Sequence, residues 1–177
     1  MNSCLNTREL GRSFTYIKAC PSTNDVALLL ARSHAPSGLI VFTDHQTAGR
    51  GRRGSVWVAL PETGLTFSLI IRDLSPEQVS LLSITTAGAL TFALRSRCPE
   101  LQVKWPNDIQ IAGRKTGGIL CESRWEGDQC LYTVVGIGLN VNESRDQFPP
   151  VLAPEVTSLS IARKKKLDRE ELLGSIL

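Results

Sequence analysis

Histidine, aromatic residues and paired cysteines are scarce in this chain, and each scarcity removes a class of chemistry. Two histidines, His34 and His45, are too few for a His-based metal centre, and neither HExxH nor a Ser–His–Asp context occurs. The five cysteines at 4, 20, 98, 121 and 130 form no CxxC pair, so no zinc ribbon or disulfide framework is indicated and reduced thiols are expected. No apolar run approaches the ~20 residues of a membrane span. Thr7-Arg8-Glu9 and Gly11-Arg12-Ser13 interrupt any signal-peptide core, so a cytoplasmic protein without a membrane partner is expected. Aromatics at 6% leave a poor stacking platform for nucleic acid, and a net charge of +3 is small, although it gathers at Arg50–Arg53 and Arg163–Lys166. No Walker A lysine motif and no HRD or DFG set is present, which argues against ordinary NTPase and kinase chemistry.

What remains is an ordinary globular composition, 42% apolar and 21% charged, on 177 residues, enough for one domain with a real core. Alternation over Phe14–Cys20 predicts a strand, and Ser22 or Thr23 then caps a helix to about Ser33 with Val26, Leu29 and Leu30 on one face. Leu39–Thr43 and Gly64–Ile71 read as strands. Ser75-Pro76-Glu77-Gln78 is a capping box with proline at the first helical position, opening a helix that runs nearly to Cys98. Leu101–Trp105 and Ile109–Ala112 follow as strands bent at Pro106-Asn107-Asp108, and Lys115–Trp125 with Cys130–Gly136 form a hairpin about Gly127-Asp128. Asn140–Pro154 is expected as a loop, and Asp168 caps a last short helix. Hairpins dominate the second half, so the expected class is α+β with a mixed sheet.

The stretch from Gln46 to Gly54 cannot be a core element, because positions 49–54 hold three glycines and three arginines. Glycine backbones turn amides toward an anion and guanidiniums add rigid forks of donors, which suits phosphate. Taken alone, such a loop is as readily a solvated basic turn or a nucleic-acid patch. Two more stretches are chemically unusual: Lys104-Trp105-Pro106-Asn107-Asp108 around one bend, and Lys115-Thr116-Gly117-Gly118 after it. Lys115 adds charge for a polyphosphate, Asp108 is a candidate Mg²⁺ ligand, and Gly118 and Gly136 let backbone approach a flat ligand. Ser22, Thr23 and Gln46 add neutral hydrogen-bonding groups.

In this order the motifs resemble the biotin–protein ligases, the biotin–[acetyl-CoA-carboxylase] ligases. The matching pieces are Ser22-Thr23-Asn24, Gln46 to Gly54 with Trp57, Lys104 to Ile109, Lys115 to Leu120 with Glu122, and Gly136 to Asn142, across roughly residues 14–162. The resemblance implies a fold like the catalytic core of class II aminoacyl-tRNA synthetases, a mixed, mostly antiparallel sheet with helices mainly on one face. It implies ATP, Mg²⁺ and biotin as co-substrate, ion and substrate, with a biotin carboxyl carrier domain as partner. By position, Lys115, Arg50 and Arg52 are catalytic. Ser22, Thr23, Asn24, Gln46, Gly49, Arg50, Lys115, Gly118, Leu120 and Gly136 bind biotin. Arg50, Arg52, Trp57, Lys115 and Asn140 bind the adenylate, and Asp108 holds Mg²⁺.

One catalytic domain over 1–177 is expected, with 163–177 starting a C-terminal helix. The family's winged-helix and SH3-like segments are not found, so DNA binding is not expected, while a homodimer stays open. A lipoate or octanoate ligase or transferase shares the implied fold, but such proteins lack a GRGRRG loop after a glutamine. A biotin-binding fragment with little activity is the further alternative.

Overall fold

The computed structural model describes residues 10–177, so Cys4 and Thr7-Arg8-Glu9 lie outside it. The strands are β1 (Phe14–Cys20), β2 (Ile40–Gln46), β3 (Leu65–Ile71), β4 (Leu101–Lys104), β5 (Asp108–Ile111), β6 (Arg114–Glu126) and β7 (Gln129–Leu139). The helices are α1 (Thr23–Arg32), α2 (Pro76–Leu94), α3 (Leu159–Arg163) and α4 (Arg169–Ile176). All seven strands form one sheet in the order β1-β2-β3-β7-β6-β5-β4. β1 runs parallel to β2 and the other pairs are antiparallel, the mixed, mostly antiparallel sheet that was expected.

Because side chains alternate along a strand, the sheet has two distinct faces. Phe42, Phe67, Ile137 and their neighbours point one way and pack on Leu90 and Leu94 of α2, Leu159 of α3 and Leu172 and Leu173 of α4. Val41, Ile70 and Val134 point the other way and pack on Ala27 and Ala31 of α1. The helices thus lie mainly on one face. α1 shares the second face with a cleft.

Local chemistry accounts for most element boundaries. The capping box forms, with Ser75 N–H donating to Gln78 Oε1 at 2.8 Å and Gln78 N–H to Ser75 Oγ at 3.3 Å. Asp168 caps α4 by accepting from the Glu170 and Glu171 amides. At the tip of the β6–β7 hairpin Gly127 has φ +56°, a conformation that favours glycine.

Two expectations need correction. Leu29 does not join the core-facing side of α1, being 61% exposed; Ala27 and Ala31 are its buried centre, with Val26 and Leu30 half-buried against the same cluster. Ser22 stands at the N-cap of α1 but its hydroxyl caps nothing. Gln46 Oε1 instead accepts the Thr23 amide at 2.7 Å, leaving Ser22 free at the cleft. The sequence also left α3 unassigned, since five residues are too few for a helical period to show.

Candidate active site

The cleft floor is built from small side chains brought level by strand register. One row across the sheet runs Thr66, Gly138, Gly118 and Asp108, and the next runs Ser68, Gly136 and Leu120. A Cβ on Gly136 would fall 2.2 Å from Asn24 Oδ1, and one on Gly138 would fall 2.4 Å from the Trp57 ring. Glycine at these two positions makes room for an amide and an indole.

The N-terminus of α1 forms one wall, tied to the floor by hydrogen bonds. Asn24 Nδ2 donates to Glu122 Oε2 at 2.6 Å and to the Leu120 carbonyl at 3.3 Å. Ser68 Oγ lies 2.6 Å from Asn24 Oδ1 and 2.7 Å from Thr23 Oγ1. Thr23, Asn24 and Ser68 are each no more than 3% exposed, so water does not compete for these bonds.

The Gly/Arg loop folds over the cleft as a tight return. The Gly51 amide donates to the Ser55 carbonyl at 2.7 Å, and Arg53 and Gly54 both take positive φ at the tip. Arg50 forms a fork on Asp25, with both nitrogens at 2.7 Å, and reaches Glu122 at 3.4 Å. Those bonds, Asp25's foremost, push the guanidinium pKa up, so its charge is fixed. Arg52 donates to Asn107 Oδ1 at 3.2 Å. Gly49 shapes the loop rather than the cavity: its carbonyl accepts the Trp57 amide at 3.0 Å.

Two adjoining cavities result. The narrow one brings together Ser22, Thr23, Asn24, Gln46, Arg50, Arg52, Trp57, Lys115, Gly118, Leu120 and Gly136, all anticipated from the sequence. The wide one takes in Asp108 and Asn140, with Phe148, Leu152 and Val156 as an apolar wall. Lys115 and Trp57 line both cavities. Lys115 Nζ is 2.7 Å from Asp108 Oδ1 and 6.0 Å from the Trp57 ring centroid. Its backbone is held by the Glu155 carbonyl and the Thr157 amide, each at 2.8 Å. Asn140 spends its amide nitrogen on the Thr157 carbonyl at 3.0 Å, which holds that segment beside Lys115.

Sequence reasoning missed Thr66 and Ser68. Both are polar, both are buried, and they alternate with Leu65, Phe67 and Leu69 on β3. Polar residues at every second position of an otherwise apolar, doubly covered strand were the signal.

A model of the biotin/lipoate A/B protein ligase family matches residues 16–140. The chain belongs to that family. Among relatives in this ligase family, the bifunctional ligase/repressor BirA of Bacillus spizizenii is 39% identical over 98% of this chain and 54% of its own length. The biotin–[acetyl-CoA-carboxylase] ligase of Paracoccus denitrificans is 35% identical over 83% of this chain and 65% of its own. The chain therefore spans a little over half to two thirds of these curated relatives. Among solved structures, the Aquifex aeolicus biotin protein ligase in complex with biotin and ATP superposes with a TM-score of 0.76 at 28% identity, covering 93% of this chain and 67% of that one. The Leishmania major biotin protein ligase in complex with biotinyl-5-AMP gives 0.71 at 26% identity over 93% of this chain and 72% of that one.

Within the ligase fold the described residues contain no cluster of three His, Cys, Asp or Glu side chains able to hold a metal ion. Asp108, the expected Mg²⁺ ligand, has one oxygen engaged by Lys115. Among the described residues, side chains alone do not enclose a resident Mg²⁺. Cys20, Cys98, Cys121 and Cys130 are free thiols, and burial pushes Cys98 up to about 11 and Cys121 up to about 12, so neither is a thiolate at neutral pH. Among the described residues no helix is long and apolar enough to cross a membrane.

Proposed function

We propose that the protein joins biotin to ATP as biotinyl-5′-adenylate and transfers the biotinyl group to one lysine of a biotin carboxyl carrier domain. The observation that carries this reading is the position of Lys115, whose ammonium lines both the narrow, polar cavity and the wide one. The narrow cavity takes biotin and the wide one takes the nucleotide, so the amine stands where carboxylate and α-phosphate meet.

The first step joins two anions. A biotin carboxylate oxygen attacks the α-phosphorus, the bond to the bridging oxygen breaks, and pyrophosphate leaves. The barrier is chiefly charge repulsion and alignment, so positioned cations supply the catalysis. Lys115 covers the junction, while Arg50 and Arg52 bring the loop's charge to the opposite side. Mg²⁺ enters as part of the MgATP substrate, since ATP phosphates provide most of its oxygen ligands. In the second step a neutral lysine amine attacks the mixed anhydride carbonyl, AMP leaves, and an amide remains. The loop excludes water that would otherwise hydrolyse the anhydride.

The polar end of the narrow cavity favours biotin over lipoate or octanoate within the same family. Thr23, Asn24, Ser68 and Gln46 form a buried hydrogen-bonded wall. A ureido ring can pair with the Ser22 hydroxyl and the Gln46 amide nitrogen that this network leaves over in the cavity, whereas an alkyl chain or dithiolane would bury them unpaired, at a cost of about 1–3 kcal/mol per group. The reading carries with it a cytoplasmic location, where ATP and carboxylase carriers meet. Biotin-dependent release of pyrophosphate from ATP tests the first step. Equal release with octanoate, or none with biotin, would overturn the assignment.

A further inference from the structure

The hydrogen bonds around Asn24 have a direction, and Glu122 determines it. An amide has one accepting oxygen and a donating nitrogen, and which points where follows from its neighbours. On the β6 side Asn24 faces two acceptors, the Glu122 carboxylate at 2.6 Å and the Leu120 carbonyl at 3.3 Å. Its nitrogen therefore lies on that side and its oxygen faces Ser68, 2.6 Å away. Ser68 has one hydroxyl proton, and Asn24 Oδ1 can only accept, so the proton goes there. Thr23 Oγ1, 2.7 Å from Ser68 Oγ, accepts from the same hydroxyl. Thr23 Oγ1 gives its own proton to Gln46 Oε1 at 3.1 Å, an oxygen that also accepts the Thr23 amide at 2.7 Å.

The chain thus runs from Ser68 to Asn24 and ends on Glu122, which also meets Arg50 at 3.4 Å. With its proton committed to Gln46, Thr23 Oγ1 can only accept from a ligand, and Asn24 Oδ1 beside Gly136 likewise accepts. Gln46 has its oxygen turned to Thr23 and keeps its NH₂ as a donor. Acceptors beside a donor are the complement of a cyclic urea, which has two N–H groups and one C=O.

We infer that Glu122 is a positioning residue that sets the hydrogen-bond polarity of the narrow cavity, and through it the selectivity for a cyclic urea. The inference rests on the reading of that cavity as biotin's. Glutamine at 122 would offer Asn24 a donor as well as an acceptor. The Asn24 amide could then turn over, and the proton of Ser68 would no longer be committed.

The test measures biotin KM, ATP KM, kcat for pyrophosphate release and melting temperature for the wild type, Glu122→Gln, Ser68→Ala and the double variant. Ser68→Ala cuts the same chain at a different residue and leaves Arg50 its partners. Each single variant should raise biotin KM about tenfold, with ATP KM unchanged and kcat within about threefold, and Ser68→Ala should melt a few degrees lower because the buried Asn24 oxygen loses its donor. Two groups acting through one chain are not additive, so the double variant should be no worse than the weaker single. Wild-type biotin KM in either single variant would overturn the inference, as would additive losses. A loss seen only in kcat and ATP KM would also overturn it, by assigning Glu122 to Arg50 alone. A wild-type protein with no affinity for biotin would overturn the reading beneath it.

Discussion

Lys115 Nζ sits 2.7 Å from Asp108 Oδ1 at the boundary between the two cavities. The pair is half open to solvent, with side-chain exposures of 39% and 25%, so it is worth about 0–1 kcal/mol to the fold. Its importance is in where it holds a cation.

Lys115→Ala should therefore remove adenylation and leave the fold intact. Losing one electrostatic contact of this kind costs ~3 kcal/mol, about a hundredfold in rate. Pyrophosphate release in single-turnover mixing and a thermal melt are the two measurements. A wild-type rate with an unchanged melt would take Lys115 out of the mechanism.

Asp108→Asn should lower adenylation more than biotin affinity. The substitution frees the Lys115 amine from its anchor and removes a hard oxygen from the side of the wide cavity, where MgATP would lie. Biotin affinity falling as far as the adenylation rate would reassign Asp108 to the bend that follows Pro106.

Gly138→Ala should displace Trp57. The new methyl would fall 2.4 Å from Cε2 and 2.6 Å from Cζ2 of the indole. The ring must leave the cleft floor, and overpacking of this kind costs about 1–3 kcal/mol. A red-shifted tryptophan emission and a raised ATP KM are expected; identical emission and kinetics would show that the indole does not wall the site.

Glu143 should make stability fall with rising pH. The residue is 2% exposed, with Thr63 Oγ1 donating to Oε1 at 3.1 Å and no partner on Oε2. Burial pushes its pKa up, partly offset by Thr63 and the charge of Arg169. The native state then holds its proton more tightly than the unfolded chain. Stability is lost as pH rises from the ordinary glutamate value of about 4.3 through the raised native one, and is level above it. Glu143→Gln lacks this titration, so its melting temperature should gain on the wild type between acid and neutral pH. A constant difference across that range would contradict the assignment.

Elements specified by local chemistry were legible from the sequence. Ser75 with Gln78, Asp168 with Glu171 and Gly127 in its hairpin each interact within a few residues, and all formed where expected. The motif residues were legible too, because glycine and arginine in strands and loops are poorly explained by packing. What stayed hidden depends on partners distant in sequence. Ala27 and Ala31 are buried only because α1 presses on β3 and β7. Ser68 matters only because register sets it level with Gly136. The Lys115–Asp108 pair needs β5 folded back on β6, and Asp25 joins the site only once the loop delivers Arg50.

The central claim is biotin transfer, and intact mass spectrometry of a carrier domain tests it directly. A biotin carboxyl carrier domain incubated with the protein, biotin and MgATP should gain the mass of one biotinyl group. Omitting ATP, or replacing the acceptor lysine by arginine, should abolish the gain. A carrier mass that stays unchanged while the protein binds biotin would contradict the account and leave a biotin-binding domain without ligase activity.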